Sequence, residues 1–389
     1  MSMAATDHPR NPDCLIVGHP YTAIGMGAHC RGVVRSLAAA YGSLAVHDVY
    51  KYTQPMPREA REFGPLLTEQ FTAPVRVFCI NGDEVEPVIR TIEQKQPGAF
   101  AKGYNIIYPM WELPRYPQEW ARQLEKFDEV WSPSLHVDAA LRATVKKPIV
   151  HLPIAVEPRV HELFDRKYFG IPESRYAMLF FFDALSFASR KNPWAAIDVF
   201  KRVLVQRPLA KLQLVLKVNN SARDAKALER LKAAIEPIHD RVTLIDKTVS
   251  EEEVKSLVRV CDCFLSLHRA EGFGLGPAEA MFFDKPVVAT AWSGNMDYMT
   301  ADNSFGVRYN LVPLVEGDYP YWQDQVWADA DIDDAAQKVL SLFENPEFGR
   351  QVGKRAGIHM RTHFSYRRQG LRYREQLQRI ALTLPPRER

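Results

Sequence analysis

The sequence predicts an α/β protein built from two doubly wound parallel sheets, and three observations predict it. Short apolar runs alternate with stretches whose apolar residues recur at helical spacing, as in strands joined by crossover helices. Twice an apolar run leads through a glycine-bearing loop into a helix, once at Gly25 and Gly27 and once at Gly272, Gly274 and Gly276. A chain of 389 residues, 46% hydrophobic, suits two domains with a core each.

The first half opens with Cys14-Leu-Ile-Val-Gly18, a buried strand ending at glycine. The loop Tyr21-Thr-Ala-Ile-Gly-Met-Gly27 follows, and apolar spacing predicts a helix over Ala28–Ala39. Further strands are predicted at Leu44–Val49, Val75–Ile80, Tyr104–Glu112, Glu129–Ser134 and Pro148–Ile154. Trp111 and Glu112 fall at a strand's C-terminal end, where sheets of this kind bind their ligands.

Tyr176–Asp183 is a dense apolar run that opens the second sheet. Arg190-Lys191 then stands just before a predicted helix over Trp194–Lys201, and strands follow at Lys211–Val218 and Val242–Asp246. Ser250-Glu-Glu-Glu253 has the spacing of a capping box, which makes those acids structural. After the strand Cys263–Leu267 comes Glu271-Gly-Phe-Gly-Leu-Gly-Pro-Ala-Glu279. Pro277 is expected near the first helical position and Glu279 in the first turn. Such a corner offers free backbone amides and the positive end of a helix dipole to a phosphate. Carboxylates beside it are suited to accept hydrogen bonds from sugar hydroxyls, and both glutamates are candidates to face one pocket.

Other function classes are excluded on composition. A net charge of +3 argues against a nucleic-acid binder. Five cysteines without C-x-x-C spacing read as reduced, buried thiols, and no tetrahedral metal site is completed around them. Asp329-Ala-Asp-Ile-Asp333 offers a D-x-D, but it reads as the acidic start of a helix with no strand before it, so no metal site is predicted. The stretch MSMAATDHPRNPD lacks the apolar core of a signal peptide, and no apolar run is long enough to span a bilayer, so a cytoplasmic protein is expected. The tail from Arg361 to Arg389 is arginine-rich, with Phe364, Tyr366, Leu371, Tyr373, Leu377 and Ile380 spaced for one apolar helical face. Packing of that face, or peripheral contact of the arginines with a membrane surface, are its two readings.

Glu271 to Thr290 reads EGFGLGPAEAMFFDKPVVAT. It closely resembles the nucleotide-sugar site of family 4 glycosyltransferases, retaining enzymes of the GT-B fold, whose pattern is roughly EGFGLPxxEAMAxGxPVVAT; Gly276 and Asp284 depart from it. The resemblance implies two Rossmann-like domains facing a cleft. Residues 1–158 would be the acceptor domain, 159–365 the donor domain, and 366–389 a last helix returning to the first. Pro153-Ile-Ala-Val-Glu157 is similar to the family's hinge P-x-G-V-D, with Ala155 and Glu157 departing.

The implied donor is a nucleotide-diphosphate-sugar, with GDP or UDP as the nucleotide. The implied acceptor is a glycan or lipid-linked precursor of a surface polysaccharide. Glu279 would hold the ribose and Glu271 the transferred sugar. Amides around Phe273, Gly274 and Leu275 would face the sugar or leaving group. Arg190 and Lys191 would offset the diphosphate charge, Arg190 replacing the arginine of a G-R pair that this chain lacks. Gly25 and Gly27 would approach the phosphates across the cleft, His268 and Arg269 the phosphates or sugar, and Lys217 the base or phosphates. Many members place a histidine where this chain has Glu112. A carboxylate there would orient a sugar or act as general base on an acceptor hydroxyl, or would simply pair with Arg115. No nucleophilic carboxylate is marked, so the resemblance implies front-face substitution without metal or cofactor. The alternative is a nucleotide-sugar epimerase on the same fold.

Overall fold

The computed structural model describes residues 13–51 and 57–384. The N-terminal stretch through Pro12, and Arg387 and Arg389 of the tail, lie outside the described residues. Strands β1 (Cys14–Gly18), β2 (Leu44–Asp48), β3 (Val75–Phe78), β4 (Tyr104–Ile107), β5 (Glu129–Ser132) and β6 (Ile149–His151) form one parallel sheet, in the order β2-β1-β3-β4-β5-β6. Between them run α1 (Gly25–Ala38), α2 (Pro57–Phe63), α3 (Val85–Lys95), α4 (Gln118–Leu124) and α5 (Leu135–Arg142). Covered on both faces, these strands read as continuous apolar runs rather than alternating ones, as parallel strands do.

The second sheet is also parallel and six-stranded. It comprises β7 (Tyr176–Asp183), β8 (Leu212–Asn219), β9 (Val242–Asp246), β10 (Cys263–Ser266), β11 (Val287–Thr290) and β12 (Phe305–Val307), in the order β12-β11-β10-β7-β8-β9. Strands β13 (Tyr309–Pro313) and β14 (Val326–Ala330) make a separate antiparallel hairpin. The helices of this half are α6 (Ala188–Lys191), α7 (Pro193–Gln206), α8 (Ala225–Ile235), α9 (Glu251–Val260), α10 (Leu275–Phe282) and α11 (Ile332–Glu344), followed by α12 (Pro346–His363) and α13 (Tyr366–Ala381).

Helix α13 lies on α1 of the first sheet, its Gly370 so close that an added Cβ would come within 2.0 Å of Ser36 O. Tyr373, Leu377 and Ile380 share a core with Val33, Val34 and Leu37, and the Tyr373 hydroxyl donates to Pro153 O at 3.0 Å. The apolar face expected in the tail is thus buried against protein. Val156 N donates to Phe364 O (2.7 Å) and Tyr366 N to Glu157 (2.9 Å), tying the chain between the sheets to the α12–α13 junction. Among the described residues no helix is long and apolar enough to cross a membrane.

Three expectations need correction. The sequence reading missed the β13–β14 hairpin, so Asp329 lies on a strand; only Asp331 begins a helix, capping α11 by accepting from Asp334 N at 3.0 Å. Helix α10 starts earlier than expected, at Leu275, with Gly274 as its N-cap. Pro277 is therefore the third helical residue, and Glu279, the fifth, sits in the second turn. The cause is Gly274, whose φ of +86° lets the chain enter the helix two residues before the proline.

Candidate active site

In the second sheet the strand order reverses between β7 and β10, which are neighbours. A crevice opens outside the carboxyl ends of strands at such a point, and ligands bind there. The segments that leave β7 and β10 carry Arg190-Lys191, at the end of the short helix α6, and Glu271. Glu271 is ion-paired to both cations, to Arg190 Nη1 at 3.2 Å and to Lys191 Nζ. Arg190 also donates to Ala270 O at 2.8 Å. From the first domain, Glu112 reaches across to within 3.6 Å of Arg190 Nη2. Its other oxygen accepts from the Tyr319 hydroxyl at 2.8 Å. The pairing of Glu112 with Arg115 is not what forms; Arg115 instead meets Gln325 through its backbone.

The electrostatics follow from burial. Arg190 is only 4% exposed and Glu271 8%. Burial alone would raise the Glu271 carboxyl, but Lys191 and Arg190 outweigh it and hold it at about 2. Burial lowers the Lys191 ammonium, and the Glu271 charge only partly restores it. For Arg190 burial opposes the charge, yet Glu112 and Glu271 together push the guanidinium up. Its Nε is buried with no partner among the described residues, a donor left over in the cluster.

The Glu271 loop is braced from behind. Glu271 N donates to Ser293 Oγ at 2.9 Å, and Gly294 N to Glu271 O at 2.9 Å. A Cβ on Gly294 would stand 2.1 Å from Gly272 O, so this approach requires glycine. His268 is fully buried beneath the loop, bonded to Ser266 Oγ and Asn295 Oδ1 at 3.0 Å each, and burial lowers its pKa. The first domain braces the same loop. Ser134 Oγ donates to Gly272 O (2.6 Å), and Asp297 accepts from Leu135 N (3.0 Å) and His151 Nε2 (2.8 Å).

The remaining candidates divide. Glu279 pairs with the buried Lys255 of α9, while Glu271 has its own two cations, so the glutamates are held separately. Leu275 and Glu279 line a small interdomain cleft with Arg31 and Arg35 of α1, Arg58 of α2 and Tyr366 of α13. Gly25 begins α1 and is exposed; Gly27 turns tightly on Thr22, where a Cβ would meet the carbonyl at 2.1 Å. The Phe273 side chain is core, packed on Tyr298 and Phe364, which leaves its backbone as the part near the site. His268 is enclosed as a brace, not presented to the crevice. Arg269 points away: it pairs with Asp329 of β14 at 3.3 Å and lies over Trp327 at 5.0 Å. Lys217 is buried in β8, donating to Val218 O at 2.8 Å, with its pKa lowered to about 8 by burial despite Asp183 and Asp246.

Lys255, Ser293, Asn295 and Tyr319 were missed from sequence. Lys255 had one signal, a lysine among the buried positions of α9, three residues before Val258 and so on its face. The others lie on loops with no periodicity to read.

Comparison with known proteins agrees with this architecture. Residues 178–345 match the family model for glycosyl transferases group 1. Over 299 residues the chain is 24% identical to the trehalose synthase of Thermococcus litoralis, a match covering 73% of this chain and 65% of that protein. The trehalose synthase of Pyrococcus furiosus matches to the same extent, so the chain spans less than two thirds of these relatives' length. Among solved structures, Anabaena HepE in complex with UDP and glucose is similar with a TM-score of 0.70 at 12% identity, covering 95% of this chain and all of that one. Sucrose-phosphate synthase from Thermosynechococcus elongatus is similar with a TM-score of 0.67 at 14% identity, covering 96% of this chain and 100% of that chain. At such identities the likeness establishes the fold, and the fold is GT-B.

Proposed function

We propose that the protein is a retaining glycosyltransferase that moves a sugar from a nucleotide-diphosphate-sugar to a glycan or lipid-linked acceptor, without a metal. Residues 159–365 would hold the donor and residues 1–158 the acceptor. The observation that carries the reading is the buried Arg190–Lys191–Glu271 cluster at the reversal point of the second sheet. Two cations there would meet the diphosphate as its charge grows, and the unpartnered Arg190 Nε is a donor for one of its oxygens. Glu271 would take a hydroxyl of the transferred sugar and Glu279 those of the ribose, each keeping its cation as counter-charge. Glu112, engaged by Arg190 and Tyr319, would orient the guanidinium rather than act as a base. UDP is favoured as the nucleotide because the similar HepE structures hold UDP and UDP-glucose. A surface polysaccharide is the acceptor class that the family resemblance suggests.

The test is a melting panel of UDP-, GDP- and ADP-sugars, since a ligand that binds only the folded chain raises the transition with the logarithm of its concentration. One nucleotide sugar is expected to stabilise the wild type. Glu279→Gln is expected to weaken its binding by about 1–3 kcal/mol, the value of a hydrogen bond to a charged group. A panel with no shift rejects the reading, and an unchanged affinity removes Glu279 from the site. Turnover in excess chelator is expected to stay near its starting rate. Loss under chelator with rescue by manganese would show that a metal carries the charge assigned here to Arg190 and Lys191.

A further inference from the structure

Between β13 and β14 the chain passes through residues 314–325, which belong to neither six-stranded sheet and hold on to both domains. Towards the second domain, Asp318 O accepts from Ser189 Oγ at 2.7 Å, one residue before Arg190. The Tyr319 ring meets Phe187 edge-on with centroids 4.8 Å apart. Phe187 has a φ of +62°, a left-handed backbone that a bulky side chain adopts only when its surroundings enforce it. Towards the first domain, Gln325 exchanges hydrogen bonds of 3.0 and 2.7 Å with the Arg115 backbone. Tyr321 packs on Trp111 and Trp120 at 6.2 and 5.6 Å.

Tyr319 stands where these attachments meet. Its ring lies 5.6 Å from the Arg190 guanidinium, and its hydroxyl donates to the second Glu112 oxygen, the first being the one nearest Arg190. Glu112 comes from the first domain, whereas Arg190 and Tyr319 come from the second. The three-way contact therefore forms only when the two domains are set against each other as they are here. We infer that Tyr319 is a positioning residue and that the hairpin loop is a strap registering the domains. It holds Glu112 against Arg190, so that the guanidinium is aimed at the leaving group only when the first domain is engaged. Burial, and after it the Glu112 charge, pushes the phenol well above its usual range, so Tyr319 remains a donor throughout the working pH range.

The inference rests on the donor reading above, and the experiment separates the two. Release of UDP from UDP-glucose is measured for the wild type, Tyr319→Phe, Glu112→Gln and the double variant, with GDP-mannose used instead if the melting panel selects it. Tyr319→Phe keeps the ring packing and removes only the bond to Glu112. It is expected to lower kcat about tenfold, the scale of one hydrogen bond to a charged group, with donor KM and donor-induced stabilisation close to wild type. The double variant is expected to be no worse than the worse single one, because both act through the one contact of Glu112 with Arg190. A wild-type kcat in Tyr319→Phe overturns the inference, as do losses that multiply in the double variant. So does a donor KM that rises in step with a falling melting temperature, which would mean a structural role only. A wild type that no nucleotide sugar stabilises overturns the donor reading and this inference with it.

Discussion

Lys191→Ala and Arg190→Ala are each expected to lower turnover by on the order of 10²–10³, the loss that follows removal of one preorganised donor to a developing oxyanion. The diphosphate carries most negative charge as the glycosidic bond breaks. On the proposed donor reading its interaction with both cations would be strongest in the transition state, and kcat should fall further than KM rises. Steady-state release of the nucleoside diphosphate at saturating donor checks this. The double variant should lose less than the product of the two, since both cations share one partner, Glu271, and would share one target. Arg190→Lys separates geometry from charge: it keeps the cation but cannot span Glu271, Glu112 and the Ala270 carbonyl together. If it matches Arg190→Ala, the planar guanidinium is what matters. If neither alanine variant slows turnover, the diphosphate is bound elsewhere.

Glu271→Gln should cost more stability than any other change at the site. It leaves Arg190 and Lys191 buried without their shared anion, and breaking a buried pair typically costs about 3–5 kcal/mol. The pH dependence gives an independent measure. The Glu271 carboxyl is held at about 2 in the folded chain, against an ordinary glutamate value of 4.5. A depressed carboxyl contributes stability that is fully present above its unfolded value and lost as pH falls through its folded one. The wild type should therefore lose about 3 kcal/mol between pH 4.5 and 2 that Glu271→Gln does not lose. Urea midpoints across that range, for both proteins, decide it. Parallel curves would mean that Glu271 is not held in its charged form by the two cations.

Much of this protein was legible residue by residue. Strand positions in both sheets, except the short edge strand β12, followed from apolar runs of a few residues, because a strand covered on both faces has no polar side to show. The capping box at Ser250 is a three-residue relation, and it formed as read, with Ser250 N donating to the Glu253 carboxylate at 2.7 Å. Glu271 was singled out because it stands on a glycine loop that a local pattern marks, and Arg190-Lys191 because the family resemblance places cations there. These features depend on contacts within about a turn or two of the chain, where sequence spacing and distance in space are nearly the same quantity.

Partners were a different matter. Glu112 has Arg115 three residues away, yet it pairs with Arg190 and with Tyr319, 207 residues distant. Arg269 stands two residues from Glu271, yet its carbonyl accepts from Ala328 N at 3.0 Å and its side chain follows β14 away from the crevice. Glu279 found Lys255, which sits on a different helix. In each case strand order and the docking of one domain on the other decided the outcome. A buried charge takes the counter-charge that the fold brings within reach, because leaving it unpaired costs more than any preference the nearby sequence can express. The chain by itself determined which residues are chemically able to serve the site. Tertiary structure decided which of them meet, since only closure of the two sheets sets a carboxylate of the first domain against a guanidinium of the second.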